Sequence, residues 1–138
     1  MPVSGRVRAL LATGPLAHLV TINPDGSPQV SCVWVGVDGH DFVTAHLISD
    51  QVKLRNVGRD PRVALSLDAT AISAPGRRDY LVVHGTAQLE TGGAPELLRR
   101  LAEVYMGPDA PFPPDDAPPG AVMRITATRY GGVGRWDH

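Results

Sequence analysis

LAHLVTINPDGSPQVSCVWVGVDGHDFVTAH, residues 16–46, is three extended segments separated by two turns. Leu16 to Ile22 forms the first strand. Asn23-Pro24-Asp25-Gly26 is a tight turn, because proline presets one backbone angle and glycine accepts a positive φ. Gln29 to Val37 is the returning strand of the hairpin, and Asp38-Gly39 turns the chain again into Phe42 to His46. The two-residue period of a strand places Gln29, Ser31 and Val33 on one face and Val30, Cys32 and Trp34 on the other. The polar pair Gln29 and Ser31 therefore shares a face, readable as plain solvent exposure or as a face turned to a ligand.

Before this meander, Ser4 is placed to cap a short flanking helix whose apolar residues Val7, Leu10 and Leu11 recur at helical spacing, with Gly14-Pro15 ending it. After it, Ser49 or Asp50 is expected to cap a second helix running to about Gly58. Asp60-Pro61 closes that helix, and Arg62 to Leu67 is extended again. Residues 69–78, ATAISAPGRR, read as a loop. Tyr80 to Leu89 is the clearest strand, with Leu81, Val83, Ala87 and Leu89 on one face and Gly85 marking a bulge or bend. Pro95 opens a third helix with a broad stripe of Leu97, Leu98, Leu101, Val104 and Tyr105. The proline-rich residues 107–120 make an ordered loop or a surface bridge, and Val122 to Tyr130 is the last strand.

Six short strands at hairpin spacing with few helices argue for a small antiparallel barrel rather than a doubly wound parallel sheet. The 138 residues are one domain's worth and can bury a core without metal or disulfide staples. A hydrophobic fraction of 43% with 20% charged residues is that of a folded globular chain. The net charge of -1 supplies no broad attraction to nucleic acid or an anionic membrane, so any anion must be met locally. No apolar run reaches the length of a membrane span or fits a signal peptide with its cleavage site, and the expected location is the cytoplasm.

The single cysteine, Cys32, excludes an internal disulfide and a cysteine zinc cage; it reads as a small buried hydrophobe. His18, His40, His46, His84 and His138 show no metal-binding spacing. No G-x-S-x-G elbow marks a nucleophile. Gly131-Gly132-Val133-Gly134 is followed by no helix, which removes the dinucleotide-binding reading. No side chain stands out as catalytic.

Of the 13 basic side chains twelve are arginine, and the one lysine is Lys53. It falls in the first turn of the second predicted helix, where unpaired backbone N–H groups and the helix dipole favour an anion. A cation placed there opposes the dipole unless an anion is bound. Asn56 is three residues on and shares its helix face, with Arg55 and Arg59 as neighbours. On spacing alone, an anion site and a solvated surface cation both remain open. Trp34 reads as a core residue before a cofactor contact. Trp136, in a polar, glycine-rich tail, reads as a residue that packs on a partner or ligand.

The strings NPDGSPQVSCVWVGVDG, VTAH, VKLRNVGRDPRVALS and YLVVHGTAQL, in this order and spacing, resemble the pyridoxamine-phosphate-oxidase-like flavin and deazaflavin oxidoreductases. The resemblance is closest to the deazaflavin-dependent subgroup and runs from about Leu10 to the end of the chain. It implies a mainly β split barrel with a few short flanking helices. It also implies a homodimer with two equivalent sites at the subunit interface, the tricyclic ring lying along the strand from Gln29 to Val33. By the same resemblance Lys53 binds the cofactor phosphate with help from Ser31 and Thr44, near Arg55 and Asn56, while Tyr80 and Trp136 approach from the partner subunit. Many relatives that bind flavin mononucleotide carry arginine just before the lysine, where this chain has Val52, with Gln51 before it. That weaker clamp, together with an arginine-, alanine-, glycine- and proline-rich composition, favours coenzyme F-420 over flavin mononucleotide. The expected activity is hydride transfer between the deazaflavin and a small conjugated organic substrate. The alternatives are a flavin-mononucleotide oxidase or reductase of the same fold and a non-catalytic carrier of coenzyme F-420.

Overall fold

The computed structural model describes residues 1–73 and 75–137. His138 and Ala74 of the expected loop lie outside the described residues.

Ten elements follow one another: α1 (Gly5–Ala12), β1 (Ala17–Ile22), β2 (Pro28–Val33), β3 (Gly36–Asp38), β4 (Asp41–His46), α2 (Val52–Arg59), β5 (Arg62–Asp68), β6 (Tyr80–Thr91), α3 (Ala94–Tyr105) and β7 (Ala121–Val133). The seven strands form one antiparallel sheet in the order β2-β1-β5-β6-β7-β4-β3. Its two end strands, β2 and β3, are consecutive in the chain and joined only by Trp34 and Val35. The sheet therefore curls until its ends are covalently linked, the geometry of a small split barrel.

The expected strand from Gln29 to Val37 is thus two strands, so there are seven and not six. The break has a tertiary cause, since the Val35 N–H donates to the Tyr105 hydroxyl of α3 at 3.3 Å instead of to a strand neighbour. The helix expected to be capped by Ser49 or Asp50 begins after Gln51, which makes no side-chain capping bond. Ser4 caps α1 as read, accepting from the Val7 N–H at 3.2 Å. Gly85 sits at an irregularity in the β6–β7 pairing, where an added Cβ would lie 2.4 Å from the Thr126 carbonyl oxygen. Gly131 and Gly132 are part of β7, and a Cβ at Gly132 would meet the Tyr80 carbonyl.

The barrel interior is filled by Leu19, Phe42, Leu65, Leu67, Leu81, Val83, Met123 and Ile125, all fully buried. Leu89, expected on the same face as Leu81 and Val83, is exposed, because β6 beyond Ala87 runs past the core. Cys32, expected to be buried, is also exposed, since it lies on the outer face of β2, which no described residue buries.

Helix α2 packs Leu54 and Val57 against the barrel and inserts Asn56, a fully buried side chain, toward β1. The Asn56 amide donates to Thr21 Oγ1 and to Asn23 Oδ1, each at 3.0 Å. Thr21 Oγ1 in turn donates to Gln29 Oε1 at 3.1 Å. This chain of bonds fastens α2 to the first hairpin, and buried polar atoms deprived of partners are destabilising. Asn56→Ala is expected to destabilise the fold by about 2 to 3 kcal/mol, two buried hydrogen bonds plus a small void. Urea unfolding at neutral pH reads this, and a change below about 0.5 kcal/mol would show that α2 is held by its apolar residues alone.

Candidate functional site

Lys53 lies in the first turn of α2, and the helix is anchored by Asn56 one turn later. The Lys53 side chain is half-buried and makes no hydrogen bond or ion pair among the described residues. Burial lowers its pKa by disfavouring the ammonium form. With no side chain capping the helix, the cation and the start of the helix present an uncompensated positive end to the same place.

That place is a cleft of about 200 Å³ bounded by Val33 and Trp34 at the end of β2, Ala45 and His46 at the end of β4, Lys53, Leu98 of α3 and Phe112 of the proline-rich loop. Trp34 is half-buried. Its ring stacks on Tyr105 with centroids 5.2 Å apart and planes 8° from parallel, and meets Phe112 edge-on at 5.7 Å. The segment read from sequence as a bridge therefore supplies an aromatic wall of the cleft.

His46 is buried and its Nε2 lies 2.8 Å from Thr44 Oγ1. Its pKa is lowered to about 4, first by burial and second by the Lys53 charge. At neutral pH it is an uncharged imidazole beside the lysine, so the cleft holds one cation and not two.

Of the nine residues expected at a site, two line this cleft and the others stand in different places. Val33 and Lys53 line the cleft directly, and Thr44 stands behind His46. Gln29 and Ser31 pair across the sheet with Thr21 and Leu19, whose side chains are buried, so they face the barrel interior and are half-buried, not solvated. Among the described residues the Ser31 hydroxyl oxygen and Gln51 Oε1 are buried without a hydrogen-bond partner, and neither residue lines the Lys53 cleft. The Asn56 amide is committed to the hairpin, and the Arg55 guanidinium is paired with Asp50 on the surface.

Tyr80 and Trp136 sit together elsewhere on the chain. The Trp136 Nε1–H points at the Tyr80 and Val133 carbonyls, at 3.0 and 3.2 Å, and the ring covers Gly134. Neither residue lines the Lys53 cleft. Sequence reading missed His46, Tyr105 and Phe112. Only the alternation of Phe42, Thr44 and His46 in β4 signalled that His46 shares the Thr44 face, and nothing local brings Tyr105 or Phe112 to Trp34.

A larger cleft of about 280 Å³ on the outer face is dominated by Arg124, which pairs with Asp38, Asp41 and Glu90. Those four charges satisfy one another, unlike that of Lys53.

The low His46 pKa has a consequence for stability. The unfolded chain binds a proton at this histidine near pH 6.5, and the folded chain resists it down to about pH 4. Stability is therefore lost as pH falls through that window and is unaffected by this residue above it. Between pH 7 and 4.5 the contribution is on the order of 2 kcal/mol. Urea unfolding at both pH values is expected to show a drop that is smaller by that amount in His46→Asn; equal drops would mean that His46 titrates normally.

The sequence profile of the pyridoxamine 5'-phosphate oxidase family matches residues 3–134. Among solved structures, a protein named F420 reductase superposes with a TM-score of 0.73 at 28% identity, over 90% of this chain and 94% of that one. A conserved hypothetical protein from Mycobacterium tuberculosis superposes at 0.74 with 24% identity, over 100% of this chain and 86% of its own. A Listeria innocua protein that carries the pyridoxamine 5'-phosphate oxidase name gives 0.67 at 22% identity, over 94% and 97%. The last two likenesses are of fold. With its seven-stranded split barrel and a profile match over nearly its whole length, the chain belongs to the pyridoxamine 5'-phosphate oxidase family of flavin-related oxidoreductases.

Proposed function

We propose that the protein is a coenzyme F-420-dependent oxidoreductase, acting as a homodimer, that passes a hydride between the deazaflavin and a small conjugated organic substrate. The observation that carries this reading is the half-buried Lys53 ammonium, without a partner among the described residues, at the start of an uncapped helix and inside a cleft walled by Trp34. A desolvated cation of this kind is stabilised by an anion, and coenzyme F-420 carries a phosphate on the chain leading from its ring system. The likeness to a protein named F420 reductase supports the choice of deazaflavin.

When bound, the deazaflavin supplies the hydride chemistry, and the protein supplies position and electrostatics. Lys53 holds the anionic tether. Val33 and Trp34 offer the apolar wall against which a ring system lies. His46, fixed by Thr44 and uncharged, keeps the cleft singly cationic. With Val52 in place of an arginine before the lysine, the clamp is a single point charge, which suits a tethered phosphodiester better than a terminal phosphate carrying two charges.

Two features support the dimer. The outer face of β2 and the approach to α2 expose Val30, Ile48 and Val52, apolar residues that a second subunit would cover. Tyr80 and Trp136 lie outside the cleft of their own chain, so a contribution from them requires another copy.

Lys53→Ala is expected to weaken coenzyme F-420 binding by about 1.5 to 3 kcal/mol, the worth of a hydrogen bond to a charged group, without altering the fold. Fluorescence titration of the deazaflavin measures it, and unchanged affinity removes Lys53 from the site. The same titration with flavin mononucleotide decides between cofactors: tighter binding of the flavin overturns the assignment. Sedimentation velocity is expected to give twice the chain mass of 14.7 kDa, and Val30→Asp to shift the species toward one chain and weaken cofactor binding with it. A monomeric wild-type protein with full cofactor affinity would end the interface model.

A further inference from the structure

Thr44 is fully buried in β4, and the hydrogen-bond partner of its hydroxyl among the described residues is the ring of His46, with Oγ1 and Nε2 2.8 Å apart. A hydroxyl carries one hydrogen, and a neutral imidazole carries one N–H and one bare nitrogen. If Nε2 bore the ring's hydrogen, it would donate to Thr44, and the threonine's own hydrogen would be left buried with nothing to accept it. The arrangement that satisfies both groups has the Thr44 hydroxyl donating to a bare Nε2. The ring's hydrogen then sits on Nδ1. His46 is uncharged at neutral pH, so the ring has this one hydrogen to offer and not two.

The surroundings of Nδ1 are different. It makes no hydrogen bond among the described residues, and it is not one of the buried unpartnered polar atoms, which there are Ser31 Oγ and Gln51 Oε1. His46 is only 5% exposed, and it lines the Lys53 cleft. The Nδ1–H therefore opens into that cleft, close enough to Lys53 for the ammonium charge to lower the histidine's pKa. Thr44 does not line the cleft. An ammonium and an uncharged N–H that face one space can both donate to the oxygens of one anion.

We propose that His46 is a second, uncharged donor to the anion that Lys53 holds, giving its Nδ1–H to an oxygen of the cofactor phosphate, and that Thr44 is a positioning residue that acts through this ring. The proposal rests on the reading of the Lys53 cleft as the place of that phosphate. The resemblance gives Thr44 a direct part in holding the phosphate, whereas its burial and its bond to His46 give that part to the imidazole. A neutral donor adds a directed bond without a second cation, which keeps the grip suited to a phosphate with one charge.

The tautomer is read on the unsubstituted, full-length protein by long-range proton–nitrogen NMR correlation at neutral pH without ligand, the His46 signals being those missing from His46→Asn. The Nδ1–H form is expected, and a predominant Nε2–H form overturns the proposal. Thr44→Val is expected to release the ring into a mixture of the two forms; a ring that stays wholly in the Nδ1–H form there overturns the role of Thr44. Fluorescence titration then compares coenzyme F-420 with the same deazaflavin ring bearing its ribityl chain and no phosphate. His46→Leu is expected to weaken coenzyme F-420 about tenfold and the phosphate-free ligand less than about twofold. His46→Asn, whose amide N–H falls near the position of Nδ1, is expected to stay within about threefold of the unsubstituted protein for both ligands. Equal weakening of the two ligands in His46→Leu, no weakening of either, or His46→Asn as poor as His46→Leu overturns the proposal. Failure of the underlying reading shows separately, as unchanged coenzyme F-420 affinity in Lys53→Ala, and it leaves the tautomer measurement as it stands.

Discussion

The site depends on one unfavourable arrangement: an ammonium group drawn partly out of water, at the positive end of a helix, with no carboxylate among the described residues paired with it. Such a group is tolerated because the helix that bears it is held by other means. Leu54 and Val57 bury against the barrel, and the buried Asn56 amide ties α2 to the first hairpin through Thr21, Asn23 and Gln29. The free energy that fixes Lys53 in place comes from groups that do not touch the cleft. An unsatisfied charge held in place by groups outside the cleft is the arrangement that a preorganised anion site requires.

The barrel serves the same end. Because β2 and β3 are the two ends of one curled sheet, the Trp34–Val35 link must cross the opening between them. That crossing frees the tryptophan from the alternation of a strand and lets it stack on Tyr105 and abut Phe112. Trp34 thereby borders both the Lys53 cleft and a second cavity beside Gly14, Pro15 and Leu16.

The neutrality of His46 follows from the same economy of charge. Burial and the neighbouring lysine act in one direction, and the bond to Thr44 holds the ring in place without requiring a proton on both nitrogens. A second cation would have invited an indiscriminate polyanion. A single one, beside apolar walls, suits a ligand that brings one phosphate and a flat ring.

Much of this was legible in the order of residues alone. Asn23-Pro24-Asp25-Gly26 and Asp38-Gly39 dictate hairpins because their backbone angles are local properties, and the period-two alternation in β6 and β7 dictates which side chains fill a barrel. Lys53 was legible for the same reason: a lone lysine just inside a helix start is a local electrostatic contradiction. What no local rule supplies is whether the outer face of β2 is covered, why the strand breaks at Trp34, and that residues 34, 105 and 112 meet. The exposure of Cys32 and the engagement of the Asn56 amide with the hairpin are decided in the same way. Each of these depends on contacts between segments tens of residues apart, and such contacts exist only once the sheet has closed.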